Sequence, residues 1–375
     1  PRSTLSPSSA ASDVYKRQRL IGGIIMKKNC IAKGIIVGTI LLLIGASSVT
    51  AMNIQPSQPM GRGILYVGGG GPGNYTSIQE AIDNCTSGDT IYVFAGTYAE
   101  NVDTKLKKII LMGEDRETTF IEGQSTDPVL RIGNSDTTVK GFTLKGSSDE
   151  IILQVATLCE DVYIQENIIE NGIQGISLTI PTSRINIIGN TIMSNVYVGI
   201  QVQTSTYSLI QGNTITNNGA QGIDLSVNSN HNSIINNTIT GNGEEGIAIS
   251  GLASTENTIQ GNVISDNKLG IRLSGGAGSN EIRSNSVDGN TMEGLLLSSS
   301  SENTIEQNNF MNNKRQATFK LSSRNIWDAN YWSTWVGVKF SAPFFQMFPK
   351  VILGGIRMNF DKNPALVPYN ITGAV

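Results

Sequence analysis

Asp224, Glu245 and Arg272 are the side chains with which this 375-residue chain could do chemistry. They fall at two positions of a recurring "GIxL" segment. One is the residue between the two aliphatics: Ser177, Gln201, Asp224, Ala248, Arg272 and Leu296. The other is the residue before the glycine: Gln174, Val198, Gln221, Glu245, Leu269 and Glu293. Carboxylates beside an arginine suit acid–base work, in which one carboxyl gives a proton and another takes one. Acidic oxygens could also hold a cation, and an arginine forks onto a carboxylate. If successive repeats stack as strands, Glu245 and Glu293 stand two strand spacings, about 9.6 Å, apart, near the upper limit for an inverting pair. Asp224, Glu245 and Arg272 are therefore the catalytic candidates, with Gln201, Glu293 and Trp332 as substrate contacts. The plainer readings are solvated charge on a sheet and, for Trp332, a ring that closes the end of a core.

Other motifs carry less. His231, the one histidine, sits in a polar turn between Asn230 and Asn232, with no nucleophile motif to build a triad around it. "GGGGPG", Gly68 to Gly73, contains a formal nucleotide fingerprint, but its place before a long repeat makes it a leader into a cap. Copper wants clustered His, Met or Cys; Met112, Met193, Met292 and Met311 are dispersed.

What positions the candidates is the repeat. An Asn recurs at 167, 190, 213, 237, 262, 285, 308 and 330, at steps of 22 to 25 residues. An Ile stands three residues before nearly every one (Ile164, Ile187, Ile210, Ile234, Ile259, Ile282, Ile305), with Trp327 in the last repeat. An apolar residue follows two later, and the "GIxL" aliphatics form a third column. A period this regular marks a solenoid, and three short β-branched alternating stretches per period read as strands. The expected fold is a right-handed parallel β-helix of about ten three-strand coils. Ile fills the inside, Asn ladders hold the corners, and Gly lets the chain bend. A second ladder is expected through Asn171, Asn195, Asn218, Asn242, Asn267, Asn290 and Asn313. Ser77 or Thr76 should cap a short amphipathic helix over Ile78 to Asn84, ahead of a first strand at Asp89 to Phe94, and the tryptophans should close the far end.

The ends read differently. Residues 1–25 resemble non-native leader sequence. From Met26, a basic start, an apolar run over Gly34 to Ile44 and Val49-Thr50-Ala51 make a signal peptide at 26–51, which implies an extracellular, cell-surface or periplasmic protein. The first 51 residues hold seven basic and one acidic side chain. The rest keeps 20 and 29, an acidic balance that argues against nucleic acid. Cys85 and Cys159 are read as buried thiols. The β-helix is expected over 64–335, with 336–375 as a C-terminal cap or tail packed on the last coil, or meeting a partner or membrane.

The stretches "GDTIYVFAGTYAENV" and "LMGEDRETTFIEG", the "GNTITxNxxGIxLxxSxxNxI" units and the closing "NIWDANYWSTW" resemble the right-handed parallel β-helix repeat proteins. These include the carbohydrate-binding and sugar-hydrolysis type and the NosD-like periplasmic proteins. The resemblance covers about residues 64–335. It implies a polysaccharide or cell-envelope glycan as partner, bound or processed on the flat outside of the coil. Calcium is a frequent metal in such enzymes, and copper comes through NosD alone. The Asp-Pro-His motif of alginate epimerases is absent. Three readings follow: a carbohydrate-active enzyme (lyase, hydrolase or epimerase), an adhesion or surface-layer protein, and an accessory factor for copper-enzyme maturation.

Overall fold

The computed structural model describes residues 63–335 and 349–374, apart from 157, 179–180 and 355–356. The expected leader and signal peptide, and residues 336–348 of the tail, lie outside the described residues. The chain winds as a parallel β-solenoid of about twelve turns with three sheets, here called sheets 1, 2 and 3, of twelve, eleven and ten strands. A typical coil supplies Leu209–Gln211 to sheet 1, Thr214–Thr216 to sheet 2 and Ile223–Ser226 to sheet 3. The turns beyond the ten expected lie at the N-terminal end. There sheet 1 pairs Ile64 with Thr90, Thr90 with Ile110 and Ile110 with Thr138, at spacings too uneven for a count of asparagines to find.

Each three-residue strand places its central aliphatic inward and its neighbours outward, as the two-residue period of a strand requires. Ile210, Ile234 and Ile259 stack in register through sheet 1 and are essentially inaccessible. Ile215, Ile239 and Ile264 do the same in sheet 2, and Ile223, Ile247 and Ile271 in sheet 3. Trp327 continues the first column and Phe310 and Trp332 the second, so large rings end the core.

Three asparagine ladders run along the corners. In the first, the Asn213 backbone N–H and side-chain amide both donate to Asn237 Oδ1 at 2.9 Å, and Asn237 repeats this onto Asn262. The second starts at Asn195 and not at Asn171. The ladder position one coil earlier is Gly172, whose N–H donates to Asn195 Oδ1, while Asn171 occupies the left-handed turn residue beside it. A third ladder, through Asn232, Asn257, Asn280, Asn303 and Asn325, was not expected. Its trace in the sequence is the Asn of the "SxxNxI" segment.

At the N-terminal end the first strand is Ile64–Val67, ahead of the helix, and not the segment at Asp89. The helix runs over Ile78–Asn84 with Ser77 as its cap. Glu100 accepts from the N–H groups of Ile78 and Gln79, and Lys107 donates to the carbonyls of Ile82, Asp83 and Cys85, so opposite charges sit at the ends that favour them. Cys85 and Cys159 are buried and free. At the other end a hairpin of Lys350–Gly354 and Arg357–Asp361 brings Asp361 over the last coil. The chain then runs back across sheet 2: Ala365 pairs with Tyr331, Tyr369 exchanges two bonds with the Asn309 amide, and Ala374 donates to Thr238 Oγ1.

Candidate functional site

This strap lies on sheet 2, and among the described residues its contacts leave the outer face of sheet 3 free. The outward positions of sheet 3 form two columns. Gln201, Asp224, Ala248, Arg272 and Leu296 are in register in one, as consecutive strands of a stacked sheet must be. In the other, Glu245 pairs with Leu269 and, one coil further, Glu293 with Arg315. Gln201, Asp224, Glu245, Arg272 and Glu293 thus share one sheet, in three separate groups bonded across coils.

Gln174 donates to Gln201 Oε1 at 2.6 Å, and Gln201 donates to Asp224 Oδ2 at 3.3 Å, where Ser226 Oγ also donates. Burial pushes the Asp224 carboxyl above the ordinary range. The Glu245 charge adds to this, while the bonds from Ser226 and Gln201 and the charge of Arg272 pull the other way.

Glu245 is 7% exposed and accepts from Arg272 Nη1 at 3.0 Å and from Gln221 Nε2 at 3.0 Å. Glu293, 5% exposed, is paired with Arg315. The arginines stay open to solvent above their partners. Leu269 separates the two glutamates in their column, and each is held by a cation, an arrangement that suits anchors better than an acid–base couple.

Trp332 corrects the expectation of a sugar platform. It is 1% exposed, its ring stacks on Phe310 at 4.7 Å, and its Nε1 donates to Asp361 Oδ2 at 2.9 Å. It belongs to the core because its strand position points inward. Arg315 was missed, since its coil reads "KRQATFK" and lacks the "GIxL" glycine by which the column was found. Gln174 and Gln221 were visible as column members but became contacts only through their bonds to Gln201 and Glu245. His231 lies in the turn from sheet 3 to sheet 1, bonded to Glu256 at 2.6 Å and packed on Tyr207.

No group of three or more His, Cys, Asp or Glu among the described residues is placed to hold a metal ion. The single histidine is committed to Glu256 and both described cysteines are buried, so the described residues do not fit a copper centre.

The chain is 34% identical over 101 residues to pectinesterase 2 of Citrus sinensis and 30% identical over 106 residues to a probable pectinesterase/pectinesterase inhibitor of Arabidopsis thaliana. These matches take in 26% and 28% of this chain and about a fifth (19%) of each relative's length. Among solved structures it is similar to the A-modules of the Azotobacter vinelandii mannuronan C-5 epimerases AlgE4 (TM-score 0.58, 16% identity) and AlgE6 (0.56, 17%). Both superpose on 68% of this chain and on 86% and 81% of those modules. At these identities the likeness is one of fold. The sequence profile described as periplasmic copper-binding protein (NosD) matches residues 82–252 and 228–337, well over half of the sequence, and the chain belongs to that family.

Proposed function

We propose that the protein is exported and binds polysaccharide along the open face of sheet 3, with processing at Asp224 as its further capacity. The observation that carries this reading is the connected polar row Gln174–Gln201–Asp224 beside Gln221–Glu245–Arg272, on a flat sheet that the C-terminal strap leaves free. Coils about 4.8 Å apart match the length of roughly one sugar ring, so a glycan chain can lie along the stack and meet one polar group per residue. The similar structures include proteins named for action on mannuronan, and the partial relatives are named pectinesterases. In this reading residues 26–51 direct export, 64–335 form the binding solenoid and 336–375 close its end.

The test is a screen of the purified protein against neutral and acidic polysaccharides, read by binding and by release of reducing ends. The triple variant Asp224→Ala, Glu245→Ala, Arg272→Ala should lose at least tenfold in affinity while keeping its circular dichroism spectrum. Unchanged binding by that variant removes sheet 3 from consideration.

Family membership favours a second reading, an accessory factor in copper-enzyme maturation. Because the described residues assemble no copper ligands, that role would be exerted through protein contacts. A stoichiometric copper site in the described region would overturn this.

A further inference from the structure

Resting on the reading of sheet 3 as a glycan face, we propose that its C-terminal half selects anionic polysaccharides of the uronate type. Arg272 and Arg315 each receive a sugar carboxylate, about two sugar residues apart.

Four observations carry this. The first is the way the two arginines are held. Glu245 and Glu293 stand two coils apart in one column, about 9.6 Å by strand stacking, and each is nearly buried beneath an arginine. Arg272 and Arg315 keep 45% and 57% of their side-chain surface exposed. A guanidinium has five donors in a rigid fork. The glutamate fixes one edge, which leaves donors facing outward, oriented before any ligand arrives.

The second observation is the apolar surface around Arg272. Leu269, on the same strand, separates the glutamates in one column, while in the other Arg272 stands between Ala248 on the coil before and Leu296 on the coil after. A pyranose ring has an apolar C–H face, and these aliphatics give it a floor while its carboxylate reaches an arginine. The outward strand positions of this half hold no aromatic ring. Neutral sugars usually find their contact area on aromatic rings. Without one, the binding energy must come from charge and hydrogen bonds.

The third observation is local charge. The chain as a whole is acidic. Here, however, Lys268, Lys314 and Lys320 are exposed around the two arginines; the carboxylates in the outward columns of this half are the two already paired, and the exposed Glu244 beside them accepts from Gln221. Towards Asp224 the face changes to Gln and Ser, so the cationic character is confined to one half.

The fourth is an end to the track. A hollow of about 240 Å³ opens beyond Arg315, lined by Lys314, Arg315, Gln316, Thr318 and, from the hairpin, Lys350. Lys350 stands half-buried in its wall, and burial lowers its ammonium pKa.

The experiment uses the full chain, with polygalacturonate and mannuronan as probes. Each is compared with its own carboxyl-reduced, neutral counterpart, by titration calorimetry at low salt and with chelator present. The expected result is at least tenfold tighter binding of the acidic polymer, weakening as salt rises. Arg272→Gln and Arg315→Gln should each cost about tenfold. Arg272→Lys, which keeps the charge and loses the fork, should cost less. Arg184→Gln, an ion-paired arginine off this face, should change nothing. If a glutamine variant fails to fold, the wild-type comparison of acidic and reduced polymers decides alone. Equal binding of both polymers overturns this inference and leaves the glycan reading standing. Equal binding of a sulfated dextran would show unspecific attraction to polyanions and also overturn it. Binding to no glycan at all sinks both.

Discussion

Burial pushes the Asp224 carboxyl above its ordinary range, so the fold holds its proton more tightly than water does. This has a definite consequence for stability. A carboxyl whose folded-state pKa is raised costs stability at pH values above that raised pKa. The cost is gone below the unfolded value of about 3.9. Asp224→Asn keeps an oxygen to accept from Ser226 and Gln201 and removes the charge. It should therefore raise Tm at pH 7, with the gain shrinking to nothing as pH falls towards 3. An equal gain at both pH values would show that the effect is packing and not ionisation. The sequence displayed Asp224 as an outward acid but could not display its burial, which depends on the side chains of neighbouring coils. Arg315 and Trp332 mark the same boundary. Arg315 was hidden because its coil breaks the motif. Trp332 invited a surface role by its type, although its place two residues after Asn330, in an otherwise aliphatic inward column, already pointed to the core.

At the scale of the coil, glycines do two different jobs that sequence alone merged into one. Gly212 has φ +63 and open space where a side chain would go, and the same turn position one coil later is Asn236 at φ 54. It is a backbone-conformation glycine, and Gly212→Asn should be nearly neutral. Gly246, in the "GIxL" column, is a close-approach glycine. A Cβ there would sit 2.6 Å from Ile264 Cγ2, 2.9 Å from the Gly270 carbonyl and 3.0 Å from Asn267 Nδ2. Gly246→Ala must push apart a coil of the core and a rung of the second ladder, at a cost of about 1–3 kcal/mol. Denaturant midpoints of the two variants measure the contrast, and similar midpoints would contradict this division. The strand triplets, two of the ladders and the cap helix were legible because each is written once per coil in residue types with a single use. The third ladder was equally regular, but its Asn was read as part of a consensus and not as a rung. The irregular N-terminal coils left no period to count.

Across the whole molecule, a solenoid passes stability only between neighbouring coils, so its ends decide where it opens. Asp361 closes the first ladder in the place of a further asparagine. It is fully buried and its Oδ2 accepts from the Asn330 N–H, the Asn330 side-chain amide and Trp332 Nε1. The strap beyond it covers Asn309 and Ser286 on the outside of sheet 2. A chain ending at Trp335 would lose both devices, leaving buried donors without partners at about 1–3 kcal/mol each. Because coupling is to nearest neighbours, the loss should decay along the stack. Hydrogen exchange of the truncated chain should quicken strongly in the strands Thr304–Glu306, Ile326–Asp328 and Tyr331–Trp332. It should remain unchanged near Asn186–Ile188 and Leu209–Gln211. Asp361→Ala in the full chain should reproduce the quickening at Asn308 and Asn330, and leave the strap's protection of Asn309 in place. Uniform quickening along all coils would mean that the solenoid opens as one cooperative unit, and that its tail stabilises the whole stack rather than its end.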